Sequence, residues 1–352
     1  MFKRKRFLVF GFIFLCLMFV GLYFLIDNYM KMRFFKGQIL LGEVVIQDDS
    51  LGEVEGIICL GRYLILNDRK PLGSRGKIQV YDRGNYNLVA SIGKEGSGPG
   101  EIRSAVALNY IPGDEFRFSI FDVSLNRLTI YSLIDGMCKV DKVISFEGAG
   151  NYYAHVINDS IIGVLDFLSD GRVSLYNFSG KKKETFGELL PGRKSGVPLD
   201  IHKAAMQGKL KVSPNSLYCI LNATFSDFID VYKDKKLEKR FHGPLKVLPR
   251  YKVESLQGFP VMALDTKRAI RGYIDIFVTN DYIYALYSGT PFKRHSGGKL
   301  IHIYSIDGRF VKTYLLDREV FGITLDPNTG EIFGIDRSLT KIISFKVSAF
   351  KR

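Results

Sequence analysis

The sequence predicts an all-β chain: a six-bladed β-propeller closed by an N-terminal strand and preceded by one transmembrane helix. Three observations predict this. A charge-free apolar run stands near the N-terminus, one strand pattern occurs six times, and a turn signal follows most copies.

The run from Phe7 to Ile26 carries no charged residue, and its length matches the roughly 20 apolar residues that a helix needs to cross the hydrocarbon core. Lys3, Arg4, Lys5 and Arg6 stand directly before it, and basic residues beside a span favour keeping that end in the cytoplasm. A cleaved signal peptide has a shorter apolar region, about 7–15 residues, and a small-x-small cleavage site. Leu15 before Cys16 also lacks the small residue of a lipoprotein site. The expectation is an uncleaved signal anchor in residues 1–33 and a propeller in residues 34–352. The placement it implies is a single-pass inner-membrane protein with a cytoplasmic N-terminus and its body in the periplasm.

Hydrophobic residues make up 46% of the chain and aromatics 13%, enough to bury a core and to exclude a disordered tail. The formal net charge is +14, and setting aside the +5 of residues 1–33 leaves +9 on the body. Such an excess favours acidic partners, anionic lipid heads or acidic glycans. Nucleic acid is excluded by the expected compartment. The cysteines, Cys16, Cys59, Cys138 and Cys219, show no close pair and no metal-ligand spacing, so buried free thiols are expected rather than a disulfide framework.

The repeated pattern is a residue that is often basic, then apolar, any, apolar, aromatic. Its copies are Lys77–Tyr81, Arg127–Tyr131, Arg172–Tyr176, Phe228–Tyr232, Leu300–Tyr304 and the degenerate Lys341–Phe345. Apolar residues two apart share one face of a strand. Asp82-Arg83-Gly84-Asn85, Asp135-Gly136, Ser179-Gly180, Asp234-Lys235 and Asp307-Gly308 follow, residues suited to the tight turn into a further strand. A strand also precedes most copies, as in Tyr63–Asn67, Phe116–Ile120 and Tyr282–Leu286. The aromatic positions step by 50, 45, 56, 72 and 41 residues, near the ~40–50 of propeller repeats apart from two insertions. The last unit lacks a fourth strand, which Gln38–Ile46 is expected to supply.

Ser91–Glu101 (SIGKEGSGPGE), followed by Ile120–Leu128 (IFDVSLNRL), resembles the NHL-type repeat, and the chain resembles the TolB-like six-bladed β-propeller proteins. Lys211-Val212-Ser213-Pro214-Asn215-Ser216 is similar to the Ser-Pro-Asp turns of TolB-like blades, with Asn215 in place of the acid. The resemblance implies the fold and assigns no reaction.

Little in the sequence points to catalysis. The Gly93–Glu101 loop fits neither the dinucleotide fingerprint nor the P-loop and reads as a turn between blades. Asp122 with Asn126 and Arg127 reads as a turn organiser. His155, His202, His242, His295 and His302 show no zinc spacing, and no serine lies in a nucleophile elbow; no cofactor motif is present. A metal-dependent lactonase- or lyase-like enzyme would need ligands gathered from several blades, and Asp68, Asp122, Asp166 and Asp336 are the strand-end carboxylates for that role.

The 72-residue step between Tyr232 and Tyr304 is the largest irregularity. Most of its excess lies in His242–Arg271, which has few β signals and is expected to leave the blade and lie over one face of the disc. Arg250, Tyr251, Lys252, Lys267, Arg268 and Arg271, with Lys293 and Arg294 of a long hairpin nearby, form the candidate binding surface. The functional expectation is a membrane-anchored, noncatalytic binding or scaffold module for a protein or glycan partner.

Overall fold

The structure is a computed structural model and describes residues 18, 34–189, 192–193 and 195–347. Every copy of the repeated pattern is the third strand of an antiparallel four-strand unit: Ile78–Asp82, Arg127–Ile134, Val173–Asn177, Phe228–Lys233, Gly298–Ser305 and Lys341–Phe345. The first four units are separate sheets. The last two share one eight-stranded sheet because Phe310–Leu325 runs unbroken for 16 residues. It pairs with Gly298–Ser305 as an outer strand and, further along, with Ile332–Asp336 as an inner one.

The inner strands touch in a closed cycle. Val54–Leu60 meets Ala105–Tyr110, which meets Asn151–Val156, then Leu210–Val212, Ile270–Val278 and Phe310–Leu325, which returns to Val54–Leu60. This radial array is a β-propeller, and it leaves only short strand edges open to solvent.

The aromatic that ends each repeat explains why the pattern recurs. Tyr81, Tyr131, Tyr176, Tyr232, Tyr304 and Phe345 are each at most 3% exposed. Three of these rings meet a ring just past or within the outer strand of the blade before: Phe146 with Tyr176 at 5.0 Å, Phe186 with Tyr232 at 5.3 Å, and Phe241 with Tyr304 at 4.4 Å between centroids. Such pairs contribute about 0.5–1.5 kcal/mol each beyond their burial, so the repeat encodes the seam between blades as well as the strand.

Gly42–Gln47 pairs antiparallel with Lys341–Phe345 and completes the last blade. The single early strand expected over 38–46 is broken at Leu41. Gln38–Leu40 runs parallel to Tyr314–Leu316 on the edge of the fifth blade before the chain crosses to the sixth. Close packing explains a glycine at the crossing: a Cβ on Gly42 would lie 2.6 Å from the Phe345 ring and from Ile343.

Antiparallel succession gives the disc two unlike faces. Connections from first to second and from third to outer strands make a turn face; second-to-third and blade-to-blade connections make a loop face. Phe34 packs on Phe310 at 4.5 Å and its carbonyl accepts from Thr313 Oγ1 at 3.1 Å, and Gln38–Leu40 then runs away from the Asp307-Gly308 turn, so the segment from Phe34 enters the fifth blade from its turn side. No helix among the described residues is long and apolar enough to cross a membrane. The expected span Phe7–Ile26 lies outside the described residues apart from Met18. Leu199–Ala205 is a short helix between the third and fourth blades, with Asp200 in its first turn and His202 and Lys203 in its last, charges that suit the helix dipole. Cys59, Cys138 and Cys219 are free.

Candidate functional site

The insertion begins on a buried carboxylate. Asp227 is fully buried and accepts the N–H groups of Leu245 at 2.7 Å, Lys246 at 2.8 Å and Val247 at 2.8 Å. Those bonds favour the charged form, yet burial dominates and pushes its pKa up to about 6. The carboxylate thereby fixes where the chain leaves the fourth blade.

Beyond this root the chain is not the irregular segment expected from its few β signals. Tyr251–Leu256 and Phe259–Leu264 form a separate two-stranded sheet that turns through Gln257 and Gly258, both at positive φ (51° and 85°). Only the first strand alternates apolar and polar residues; the pairing sets Tyr251, Val253, Met262 and Leu264 on one side and Lys252, Glu254, Val261 and Ala263 on the other. Phe259–Leu264 packs on the helix Leu199–Ala205, and His202 Nδ1 lies 2.7 Å from the Tyr251 hydroxyl. Lys203 pins that helix to the third blade, with Nζ donating to the Ser169 carbonyl at 2.7 Å, to the Gly171 carbonyl at 2.8 Å and to Asp166 at 3.5 Å. The hairpin therefore leaves the blade and stands on the loop face on its own support, with Leu256 63% and Phe259 73% exposed at its tip.

The sequence-derived residues fall into two groups. Arg250, Lys252, Lys267 and Arg268 are exposed at the base and flank of the hairpin. Lys252 is paired with Glu254, while Arg250, Lys267 and Arg268 have no ion-pair partner among the described residues. Arg271 lies against Phe292, which precedes the exposed Lys293 and Arg294 in the chain and whose N–H donates to the Ala269 carbonyl at 2.9 Å. The Arg271 guanidinium lies 5.0 Å from the centre of the Phe292 ring, and its Nε is buried without a partner among the described residues. Burial lowers its pKa.

The strand-end carboxylates do not converge. Asp68 accepts from Gly52 N at 2.9 Å and Glu53 N at 2.8 Å; Asp122 accepts from Arg103 N at 2.6 Å and Ser104 N at 3.2 Å. Each ties its second strand to the segment entering the first strand of the same blade. Asp166 holds Ser169, Ser174 and Lys203, and Asp336 holds Ser338 and Lys341 N. Among the described residues no group of three His, Cys, Asp or Glu side chains is placed to hold a metal.

Sequence reasoning did not find the polar plug on the central axis. Lys211 Nζ of the fourth blade donates to Asn109 Oδ1 of the second at 2.6 Å, and Tyr153 of the third donates to the same oxygen at 3.2 Å. The Tyr110 hydroxyl reaches the Val212 carbonyl and, at 3.4 Å, that of Val278. His155 is fully buried, with Nδ1 2.7 Å from the Val156 carbonyl and Nε2 unpartnered among the described residues. Burial, with the Lys211 charge second, lowers the His155 pKa to about 3; burial lowers that of Lys211 to about 8. Asn109, Tyr110 and His155 end short inner strands without any motif, and Lys211 sits in the turn-like Lys211–Ser216 run, so no linear signal marks the plug.

The family model described as TolB-like 6-blade propeller-like matches residues 65–328. Among solved structures, this chain is similar to the β-propeller domain of Cps50 (Swd1) from Myceliophteria thermophila. The two are 10% identical; the match covers 87% of this chain and 100% of that one, with a TM-score of 0.49. No curated protein sequence matches.

Proposed function

We propose that this chain, which belongs to the TolB-like six-blade propeller-like family, is a noncatalytic binding module tethered to a membrane through Phe7–Ile26. The loop face makes the contact. One observation carries this reading: the hairpin sets exposed Leu256 and Phe259 at its tip and, at its base, Arg250, Lys267 and Arg268, which lack acidic partners among the described residues. An apolar tip above unspent cations, held on a rigid scaffold, suits an acidic protein or glycan partner.

The segment from Phe34 enters the fifth blade from its turn side, beside Phe310. A bilayer helix just upstream of it leaves the loop face pointing away from that bilayer, into the periplasm for an inner-membrane protein. The strand-end carboxylates spend their oxygens on loop N–H groups and neighbouring hydroxyls, which favours binding over a metal-dependent lactonase- or lyase-like enzyme in the channel.

The test compares the full chain with a variant carrying Arg250→Ala, Lys267→Ala and Arg268→Ala in cross-linking from native envelopes. A partner captured by the parent and lost by the variant, at equal melting temperature, supports the reading. Equal capture by both removes the loop face from it.

A further inference from the structure

A concavity lies on the rim, where the closing strand of the last blade meets the outer turn of the first. It is a groove open to solvent, lined by Val45–Asp49, Tyr81 and Asn85–Leu88, with a volume of about 730 Å³, within the ~300–1,000 Å³ of small-ligand sites. Three features distinguish it from the loop face.

The first is its chemistry. Among the described residues no lysine, arginine or histidine lines it, although the chain carries fourteen more basic than acidic residues. The nearest cations are committed: Arg83 to Asp326 at 2.6 Å and to the Cys59 thiol at 3.2 Å, Arg75 to Asp48 at 3.7 Å. An anionic ligand has no counter-charge here.

The second is the supply of two-way hydrogen-bonding groups. Gln47, Asn85 and Asn87 are exposed amides, and apart from Asn85 Oδ1, which accepts the Asn87 N–H at 2.9 Å, their side chains are unspent among the described residues. Each amide offers donors and an acceptor together, which matches vicinal hydroxyls. A polyamine has no acceptors and would leave those donors unmatched. Asp49, also exposed, adds acceptors, while Asp48 is occupied by Ser50 and by the Tyr81 hydroxyl at 3.0 Å.

The third is Tyr86. Its φ of 57° is a backbone region that bulky side chains rarely adopt, and such strain is retained where surrounding structure enforces it, often at binding sites. Its N–H donates to the Asp82 carbonyl at 2.7 Å and its ring stands edge-on to Phe333 of the last blade, 6.5 Å between centroids. The half-buried ring is thereby held in the cleft, and its hydroxyl is unspent among the described residues. A flat apolar face with a polar tip is the surface on which the C–H face of a pyranose packs.

From these features together we infer that the rim cleft between the last and first blades binds a neutral oligosaccharide, with Tyr86 stacking on a sugar ring and Gln47, Asn85 and Asn87 pairing with its hydroxyls. The site is separate from the loop face and stands whether or not that face binds a partner.

The experiment uses the full chain in detergent on an array of neutral di- to hexasaccharides of glucose, galactose, mannose and N-acetylglucosamine, alongside sulfated and uronate-bearing glycans. The parent is expected to hold one or more neutral ligands. Tyr86→Gly relieves the positive φ while removing the ring, and should weaken binding about tenfold or more, a loss of one good contact, with an unchanged or higher melting temperature. Asn87→Ala, at an exposed position, should weaken binding several-fold with no change in melting. Absence of any neutral ligand, preference for the anionic glycans, or neutral binding indifferent to both substitutions overturns the inference.

Discussion

Lys211 and Asn109 belong to blades that are not neighbours, yet the Lys211 ammonium donates to the Asn109 amide oxygen at 2.6 Å, across the axis of the disc. The third blade sends Tyr153 to the same oxygen at 3.2 Å, so three blades meet on one acceptor. The centre of this propeller is therefore a packed polar knot, and its chemistry is set by a buried cation with one neutral partner.

Removing that partner should cost more than removing the cation. Asn109→Ala leaves the ammonium buried without an acceptor, an error of about 3–5 kcal/mol for buried charges. Lys211→Met replaces the charge with apolar volume and should change stability by less than about 1.5 kcal/mol. Urea denaturation of both variants checks the order; equal losses would mean that the amide is not serving the charge.

The same cation predicts a pH dependence. Burial lowers the Lys211 pKa to about 8, against roughly 10.4 in an unfolded chain. Between those values the unfolded state holds more protons, so stability rises with pH, by at most ~1.4 kcal/mol per unit for one group. Below pH 8 the cost of the buried charge is present in full. Buried thiols oppose the trend at higher pH, since burial raises the Cys59 pKa to about 11. Subtracting the Lys211→Met curve isolates the lysine: the difference should change between pH 8 and 10 and stay flat from pH 6 to 7.

The insertion should depend on Asp227. Its carboxylate holds three consecutive N–H groups at the root of the segment, and deleting it leaves those donors facing a buried void. Asp227→Ala should cost about 2–4 kcal/mol and release amide protection over Leu245–Val247 and the hairpin before the blades. Because the folded pKa is raised to about 6, this group's stabilisation is greatest below pH 4 and falls as pH rises to 6. Hydrogen exchange that leaves the hairpin as protected in the variant as in the parent would refute the rooting role.

The repeated blade strand and its six copies were legible because a period of two, an aromatic terminus and a turn residue all act within about ten residues. Lys77–Tyr81 and its copies fold as expected because every requirement they meet is local. The hairpin Tyr251–Leu264 was harder to recognise, since its alternation is weak and its support, the helix at Leu199–Ala205, lies some fifty residues upstream. The plug of Asn109, Tyr153 and Lys211 left no local trace, because only closure of the ring brings strands about a hundred residues apart to one axis. The candidate cations were legible as composition, but which ones are unspent depends on neighbours such as Glu254.

Closure itself is the most exposed part of the fold. Gly42–Gln47 is the one strand that must return from the far end of the chain to complete the last blade, and its pairing with Lys341–Phe345 shifts register between Val44 and Ile46. Ile46 is 3% exposed and packs with Leu64 of the first blade and Phe333, Ile335 and Ile342 of the last. It therefore ties the closing strand to both sides of the seam. Ile46→Ala removes that contact and should cost about 2–5 kcal/mol, close to the loss from Ile342→Ala on the partner strand. If the ring stood without its closure, Ile46→Ala would be nearly silent while Ile342→Ala remained costly. Denaturation of the two single variants and the double variant decides this: coupled losses well short of additive place both residues in one closing unit, and full additivity separates them.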